Sequence, residues 1–289
     1  AADLPRVHAL QDGVSLERLG AVPATAPSAA PPASSIATTA DKPPAKGDAP
    51  VERLRRMPTG EYFQRLAALM VDNPPRDADR PMLMKLERLG LAPGQPPAWS
   101  ALDRASVALG RWLADFQVQR ELAKPRDLVQ GWQTPPDLLG RYGTAYNIRA
   151  VVALVGLGAN LPEDAIYPSA RVDAEGQTLD GAHRYRIRFA PGQLPPARAF
   201  WSVTAYGADD FLLDVPQGRH SVGSRDPLVA NPDGSIDLLV QAEPPPPELR
   251  ANWLPVRAGE RFTLTARLYW PQVEALQGRW RMPAVERLR

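Results

Sequence analysis

The hydrophobic pattern of this chain changes its period once, near Pro162. Before that proline, apolar residues recur every three to four positions, which is typical of amphipathic helices. After it, apolar and polar residues alternate, which is typical of half-buried strands. Helices followed by a run of short strands indicate an α+β fold rather than alternating βαβ units. We therefore predict a helical segment followed by an antiparallel β-sandwich, jelly-roll-like in the spacing of its strands.

Two short helices are predicted first. The segment TGEYFQRLAALMVDN has Thr59 as a candidate N-cap and is stopped by the following prolines. The segment DRPMLMKLERLGLAPG has Asp79 as a candidate N-cap, Pro81 in its first turn and Gly90 just past its end.

Two further helices complete the predicted helical segment. The third is SALDRASVALGRWLADFQVQRELAK, and its large apolar side chains are predicted to face inward: Leu109, Trp112, Leu113 and Phe116. The fourth is PPDLLGRYGTAYNIRAVVALVGLG, which is the most apolar of the four and is predicted to be the most buried.

Five segments after Pro162 are predicted to be strands: HRYRIRFA, RAFWSVTAYG, DFLLDV, SIDLLVQA and RFTLTARLYW. In the first, arginines alternate with Tyr185, Ile187 and Phe189, which are predicted to face the core.

Residues 21–50 are rich in Pro, Ala and Ser and have almost no large side chains. Such a segment buries too little apolar surface to offset its ordering entropy. We predict an extended strap or linker over residues 1–50, a helical segment over 51–160 and a sandwich domain over 161–289.

The composition limits the classes of partner. Hydrophobic residues make up 44% of the 289 residues and charged residues 23%, which suits a chain with a sizeable core. The net charge of +2 is too small to predict nucleic-acid binding. There is no cysteine, so disulfides and thiolate chemistry are excluded. The longest apolar run, residues 150–159, is too short to cross a bilayer, which takes about 20 residues.

The segment GLGANLPEDAIYPS, residues 156–169, contains a Gly-x-Gly and raises the question of a dinucleotide loop. That motif needs a preceding strand, a third glycine and a following helix. Here Leu161 stands at the third position and Pro162 follows. We therefore predict the end of a helix leading into the sheet, and no cofactor.

Nucleophile and metal motifs give no positive prediction. Ser221 follows His220 directly, and neighbouring side chains of a strand point to opposite faces, so this pair is read as ordinary strand sequence. The three histidines are isolated, and NPDGSID is read as a turn at Asp233-Gly234 rather than as a calcium loop. No metal ligand is predicted.

Acidic residues leave one enzymatic alternative open. A glycosidase-like hydrolase uses two carboxyl groups, one as acid and one as base or nucleophile. Asp164 is the first candidate, with Asp180 or Asp209 as its partner; the neighbouring Glu163 and Asp210 are further acidic candidates. Whether the protein is an enzyme is left undecided by the sequence.

Long stretches of the chain resemble a known bacterial family. They are YFQRLAALMVDNPPRDADRPMLMKLERLGLAPG, then GRYGTAYNIRAVVALVGLGANLPEDAIYPSARVDAEGQTLDGAHRYRIRFAPGQLPPARAFWSVTAYG, and finally ANWLPVRAGERFTLTARLYWPQ. They resemble the family built from domains of unknown function 1254 and 1214, over about residues 51–289. The short LPRVHALQDGVSLERLG resembles the tail of the 1254 part.

The resemblance implies a C-terminal β-sandwich behind a helical segment and a periplasmic or secreted bacterial setting; a cytoplasmic one stays open. It supplies no reaction. The positions that match the family's most recognisable motifs are Tyr142, Gly143, Tyr146, Arg149, Asn160, Leu161, Asp164, Tyr167, Trp201, Tyr206, Asn252, Trp253 and Tyr269.

Our first functional hypothesis is an envelope protein that binds a polar ligand, a glycan or a carboxylate, where the helices meet the sandwich. Arg149 would pair with an anionic group, and tyrosines and tryptophans would supply hydrogen bonds and stacking faces. The residues predicted for this site are Tyr142, Tyr146, Arg149, Tyr167, Trp201 and Trp253. A structural protein that assembles into a homo-oligomer is the remaining alternative.

Overall fold

The computed structural model describes residues 50–124, 127–134 and 139–288, together with Ala9, Asp12 and Gly13. Contacts divide the chain into two compact units, Ala1–Arg53 and Leu54–Arg289. Nearly all of the described residues belong to the second unit. The strap predicted for residues 1–50 lies outside the described residues except for those three and Pro50.

The fold is α+β, as predicted. The described residues form six α-helices, which are α1 Pro50–Arg56, α2 Thr59–Asp72, α3 Arg80–Arg88, α4 Ala101–Leu122, α5 Tyr146–Val155 and α6 Val273–Leu276. Two 3₁₀ helices lie at Asp77–Asp79 and Pro247–Asn252. No helix among these residues combines the length and the apolar character needed to span a membrane.

Helices α2 and α3 enclose a small hydrophobic core around Ala67, Met70 and Leu91. The predicted starts and stops are close to those observed. Helix α2 begins at Thr59, with Pro58 rather than Thr59 at its N-cap. Asp79 does stand at the N-cap of α3, but its side chain makes no capping hydrogen bond.

Helix α4 begins at a capping box, in which Ser100 and Asp103 bond reciprocally. The prediction that its large apolar side chains face inward is wrong. They are between 44% and 62% exposed, because another side of the helix carries the internal contacts. These apolar residues are Leu109, Trp112, Leu113 and Phe116.

The half-buried side of α4 combines the apolar Val107, Val118 and Leu122 with the polar Arg111. The Arg111 guanidinium donates to the carbonyl oxygens of Met57, Leu54 and Arg55, which lie at the end of α1 and just after it. The same guanidinium lies 4.4 Å from the ring centroid of Tyr62 in α2. Backbone oxygens left without helical partners at the end of α1 are thus satisfied by one side chain.

Helix α5 is shorter than predicted and is not fully buried. It begins at Tyr146, and the described residues before it, from Leu139 to Ala145, form turns and irregular chain. Val151 is its one buried residue, while Val155 and the following Leu157 are exposed.

The strands, in chain order, are β1 Leu128–Val129, β2 Trp132–Gln133, β3 Ala165–Ile166, β4 Ser169–Ala170, β5 Arg184–Phe189, β6 Ala197–Gly207, β7 Ser221–Gly223, β8 Ile236–Gln241, β9 Trp253–Pro255, β10 Phe262–Pro271 and β11 Val285–Leu288. The large sheet has the order β1-β2-β4-β10-β6-β7, and β3 also pairs with β10. The small sheet has the order β11-β5-β8-β9.

Four of the five predicted strand segments are confirmed, as β5, β6, β8 and β10. The segment DFLLDV is not a strand; Leu212 makes a single bridge to Tyr206. The small sheet departs from a wholly antiparallel sandwich, because β8 and β9 run parallel.

The main hydrophobic core is shared by the two sheets. Tyr185, Ile187 and Phe189 of β5 are completely buried, as their alternation with arginines predicted. Val203 of β6 and Leu264 of β10 are equally buried in the same cluster. The inner faces of the two sheets therefore form one sandwich core.

Candidate functional site

Two of the predicted binding residues, Tyr146 and Arg149, meet at Asp79, in the turn before α3. The Arg149 Nη1 lies 2.9 Å from the Asp79 Oδ1, and the Arg76 Nε lies 3.8 Å from the other carboxylate oxygen. Asp79 is only 6% exposed. Burial of the Tyr146 hydroxyl, and then the neighbouring Asp79 charge, raise the pKa of Tyr146 above its usual value. The anionic partner predicted for Arg149 is thus a carboxylate of the chain itself.

Tyr167 takes part in a different set of contacts. Its hydroxyl accepts a hydrogen bond from the Asn160 side-chain amide, and its ring meets the Tyr269 ring edge-on at 6.2 Å. Burial raises the pKa of Tyr167. The loop that begins at Gly156 is therefore tied to β10 through Tyr167.

Tyr142 is half-buried, and its backbone oxygen accepts from the Ala145 amide.

Both predicted stacking tryptophans are internal. Trp201 is 4% exposed and packs against Phe189, with ring centroids 5.4 Å apart. Trp253 is 6% exposed, and its indole N–H donates to the Gln241 carbonyl oxygen at 2.9 Å. Neither ring presents a stacking face at the surface.

The three candidate catalytic carboxylates lie in loops. The Asp180 Oδ1 accepts from the Ala182 amide at 2.9 Å, and the Asp209 Oδ1 accepts from the Phe211 amide at 3.2 Å. Asp164 is exposed, and its backbone oxygen accepts from the Trp270 amide. Among the described residues, no group of three acidic or histidine side chains is arranged to hold a metal ion.

A cleft of about 900 Å³ opens where α4 and α5 meet one end of the sandwich. We call it the junction cleft. Its apolar lining includes Val129 and Trp132 from the β1–β2 hairpin, Ile148 and Val151 from α5, and Ile166 from β3. Helix α5 therefore contributes residues to two sites, because Ile148 and Val151 line the cleft while Arg149 binds Asp79.

Charged side chains also line the junction cleft: Glu121, Lys124, Asp127 and Arg281. The Lys124 Nζ pairs with Glu121 at 2.5 Å. The Arg281 Nε donates to the Gly278 carbonyl oxygen at 2.9 Å, and its two terminal nitrogens make no ion pair in the described part of the chain. No pattern in the sequence distinguishes Arg281 from the other arginines, because no motif surrounds it.

Arginines and aromatic rings cover part of the outer face of the large sheet. Across β6 and β10, Phe200 stands opposite Tyr269, and Ser202 stands opposite Arg267. We call this surface the arginine–aromatic face; it comprises Arg198, Phe200, Tyr206, Arg225, Arg267, Tyr269 and Trp270.

Each arginine of this face lies over one ring. The Arg225 guanidinium is 4.2 Å from the Phe200 centroid, that of Arg267 is 5.4 Å from Tyr206, and that of Arg198 is 5.6 Å from Trp270. Arg267 also donates to the Tyr206 hydroxyl. Strand alternation predicts the outward direction of Arg267, but the pairing of each arginine with a ring depends on the register between strands.

Residues 164–273 match the family model described as "Protein of unknown function (DUF1214)". The match covers β3 to β10 and supports the 1214 part of the resemblance; it does not extend to the segment that resembles the 1254 tail. No curated protein matches this chain.

Two solved structures are similar. The VPA0106 protein from Vibrio parahaemolyticus has a TM-score of 0.60 and 25% sequence identity, over 79% of this chain and 56% of that chain. An uncharacterized protein from Burkholderia cenocepacia has a TM-score of 0.33 and 18% identity, over 82% of this chain and 52% of that chain. The chain thus spans just over half the length of both proteins, and the first likeness supports the fold.

Proposed function

We propose that this protein binds a small amphipathic carboxylate in the junction cleft. The volume of the cleft, about 900 Å³, is the observation that carries the proposal. Ligand sites in proteins are concave, enclose roughly 300–1,000 Å³ and combine apolar walls with a few polar groups. The junction cleft has both properties and lies where the helices meet the sandwich.

The lining favours a carboxylate with an apolar body over a glycan. The half-buried Ile148, Ile166 and Trp280 offer hydrocarbon surface, whereas a sugar would need many hydrogen-bonding groups in their place. Arg281 has two terminal nitrogens available for a carboxylate, which is the geometry that a guanidinium binds best.

The walls of the cleft are fixed before any ligand arrives. The Trp132 indole N–H donates to the Pro283 carbonyl oxygen at 2.7 Å, and the Trp280 indole N–H donates to the Gln193 carbonyl oxygen at 3.0 Å. Both tryptophans line the cleft. A pre-organised site loses less entropy when a ligand binds.

Titration calorimetry with octanoate, octanamide and maltose tests the proposal. We expect octanoate to bind most tightly, and Arg281→Gln to weaken it about tenfold by removing one charge-assisted contact. Arg279→Gln is the matched control, because Arg279 is an exposed arginine two residues away that pairs with Glu274 and does not line the cleft. Saturable binding of maltose alone, or no binding of octanoate at millimolar concentration, would overturn the proposal.

The exposed side of α4 favours assembly as a second candidate function. Leu102, Leu109 and Phe116 recur at seven-residue intervals, with Trp112 beside them, and all four are exposed. Heptad spacing is the pattern by which two helices pack against each other. We infer that two copies of the chain associate through this stripe.

Hydrolysis receives less support. A glycosidase-like reaction needs two carboxyl groups that face one substrate bond. Asp180 and Asp209 each accept a hydrogen bond from a backbone amide two residues ahead, as residues that close turns do.

An envelope or secreted setting also stays a proposal, which rests on the resemblance of the chain to its bacterial relatives.

A further inference from the structure

We propose that the arginine–aromatic face is a second binding site, which takes a carboxylated saccharide chain. The site lies on the outer face of the large sheet and shares no residue with the lining of the junction cleft. It therefore goes beyond the function proposed above.

The charge of this face is uncompensated. Within the described residues, Arg198, Arg225 and Arg267 form no ion pair with an acidic side chain. The outer face of the small sheet is different, because Arg186 pairs with Glu286 at 2.6 Å and Arg188 with Asp233 at 2.8 Å. Unpaired arginines gathered on one sheet face attract anions.

Asp226, the acidic residue nearest to Arg225 in the sequence, pairs with other groups. The Asp226 carboxylate lies 3.0 Å from the Arg219 Nη2 and accepts from the Gly223 amide at 2.7 Å. It thus holds the end of β7 in place instead of neutralising its neighbour.

The arginines are also held in place. Ser224, next to Arg225, accepts from the Trp201 amide through its hydroxyl and donates its own amide to the Trp201 carbonyl oxygen. Strands β6 and β7 approach so closely that a Cβ on Gly223 would lie 2.1 Å from that oxygen. A guanidinium resting on an aromatic ring keeps its N–H edges free to donate to an anion.

The shape of the face suits an extended ligand. From Arg198 to Tyr206 the face follows β6 for about 26 Å, at roughly 3.3 Å per residue. Ser202 stands opposite Arg267 on one side and Gly223 of β7 on the other, so Arg267 and Gly223 stand on the order of 10 Å apart across strands spaced by about 4.8 Å. Arg225 follows two residues after Gly223. Hydroxyls of Ser202, Thr265 and Ser221 lie on the same face and can bond sugar hydroxyls. Carboxylates repeated along a saccharide, with hydroxyls between them, fit this pattern.

Trigalacturonic acid is the probe, with maltotriose as its uncharged counterpart and inorganic tripolyphosphate as a non-saccharide anion. Calorimetry on the whole chain in 50 mM NaCl measures each affinity. We expect trigalacturonic acid to bind most tightly and to weaken as NaCl rises to 300 mM, because exposed charges are screened.

The decisive variants are Arg225→Gln and Arg267→Gln. Each should weaken trigalacturonic acid about tenfold by removing one charge-assisted contact. Arg225 is exposed, so its substitution leaves the fold intact even if Arg267→Gln does not. Arg186→Gln, an arginine on the outer face of the other sheet, is the matched control and should bind as the wild type does. Arg281→Gln should also leave this affinity unchanged, which separates the two sites.

Three outcomes would overturn the inference. They are equal affinity for maltotriose, binding of tripolyphosphate alone, and equal losses in the Arg225 and Arg186 variants. Equal affinity for maltotriose would show that the carboxylates play no part in binding. Binding of tripolyphosphate alone would show that the ligand is not a saccharide, and equal losses in the two variants would show that binding does not occur on this face.

Discussion

Asp233 closes the turn that leads into β8. Its Oδ1 accepts from the Ser235 amide at 3.0 Å and from the Ser235 hydroxyl at 2.5 Å, while its Oδ2 lies 2.8 Å from the Arg188 Nη2. The hydrogen bonds from Ser235, with a smaller contribution from Arg188, lower the pKa of Asp233 to about 2. The ionised form therefore stabilises the native state.

We expect the stabilisation by Asp233 to disappear in acid. Its pKa returns to the ordinary aspartate value of 3.8 when the chain unfolds, so the contribution is complete above about pH 5 and is lost as the pH falls toward 2. The melting temperature of Asp233→Asn should lie below that of the wild type at pH 7, and the gap should close between pH 5 and 2. The exposed Asp214→Asn is the control. A gap that stays constant down to pH 2 would contradict the assignment.

Asp79 shows what a single sequence reveals about a residue and what it does not. Its position before α3 is predictable, because aspartate is favoured at helix starts. Its partner is not, because Arg149 lies 70 residues further along the chain and no local pattern links the two. The same limit applies to Trp201 and Trp253, whose burial depends on how the sheets pack.

Among the elements, α4 is a helix that the sequence predicts correctly but whose orientation it does not predict. Its apolar stripe predicts the helix correctly, and the usual expectation is that such a stripe faces the core. Here Arg111 and Asp115, on another side, bind α1, and the stripe is left exposed. The positions of Arg111 and Asp115 in the sequence do not indicate that their side of α4 contacts α1, so the predicted orientation could not be corrected from the sequence.

If two copies associate through α4, the wild type should sediment as a dimer at about 100 μM, a concentration at which micromolar affinities are populated. The double variant Trp112→Gln, Phe116→Gln should be monomeric, since it removes both exposed rings. Its stability should change by less than about 1 kcal/mol, because surface substitutions cost little. Ala114→Gln, on the same helix away from the stripe, is the control. A monomeric wild type would rule out this interface.

The β1–β2 hairpin was missed for a different reason. Each strand has two residues, too few for alternation to be visible, and the turn is made by Gln130 and Gly131, both with positive φ. The hairpin matters because Val129 and Trp132 line the junction cleft. The longer strands β5 and β10 were predictable because alternation persists over six and ten residues.

At the scale of the whole molecule, the described residues form two hydrophobic cores of unequal size. The core of α2 and α3 has three buried residues, whereas the sandwich core draws on both sheets. Stability therefore differs between the two regions, because local opening requires less energy where few apolar contacts are lost.

Hydrogen exchange should show this difference. Leu91→Ala removes a buried side chain from the small core at a cost of about 2–5 kcal/mol, and should speed exchange in α2 and α3 while leaving β10 protected. Leu264→Ala, a matched truncation in the sandwich, should speed exchange in β6 and β10. Equal acceleration of β10 by both variants would show that the two cores open together.

Strand β10 has a consequence for synthesis on the ribosome. It pairs with β3, β4 and β6, all of which precede it in the chain. At about 5–20 residues per second, β6 is complete roughly 3–13 s before Pro271 is added. During that interval one edge of β6 lacks its neighbour, and unpaired edges template aggregation. We therefore expect a nascent chain that stalls before residue 262 to bind chaperones that shield strand edges.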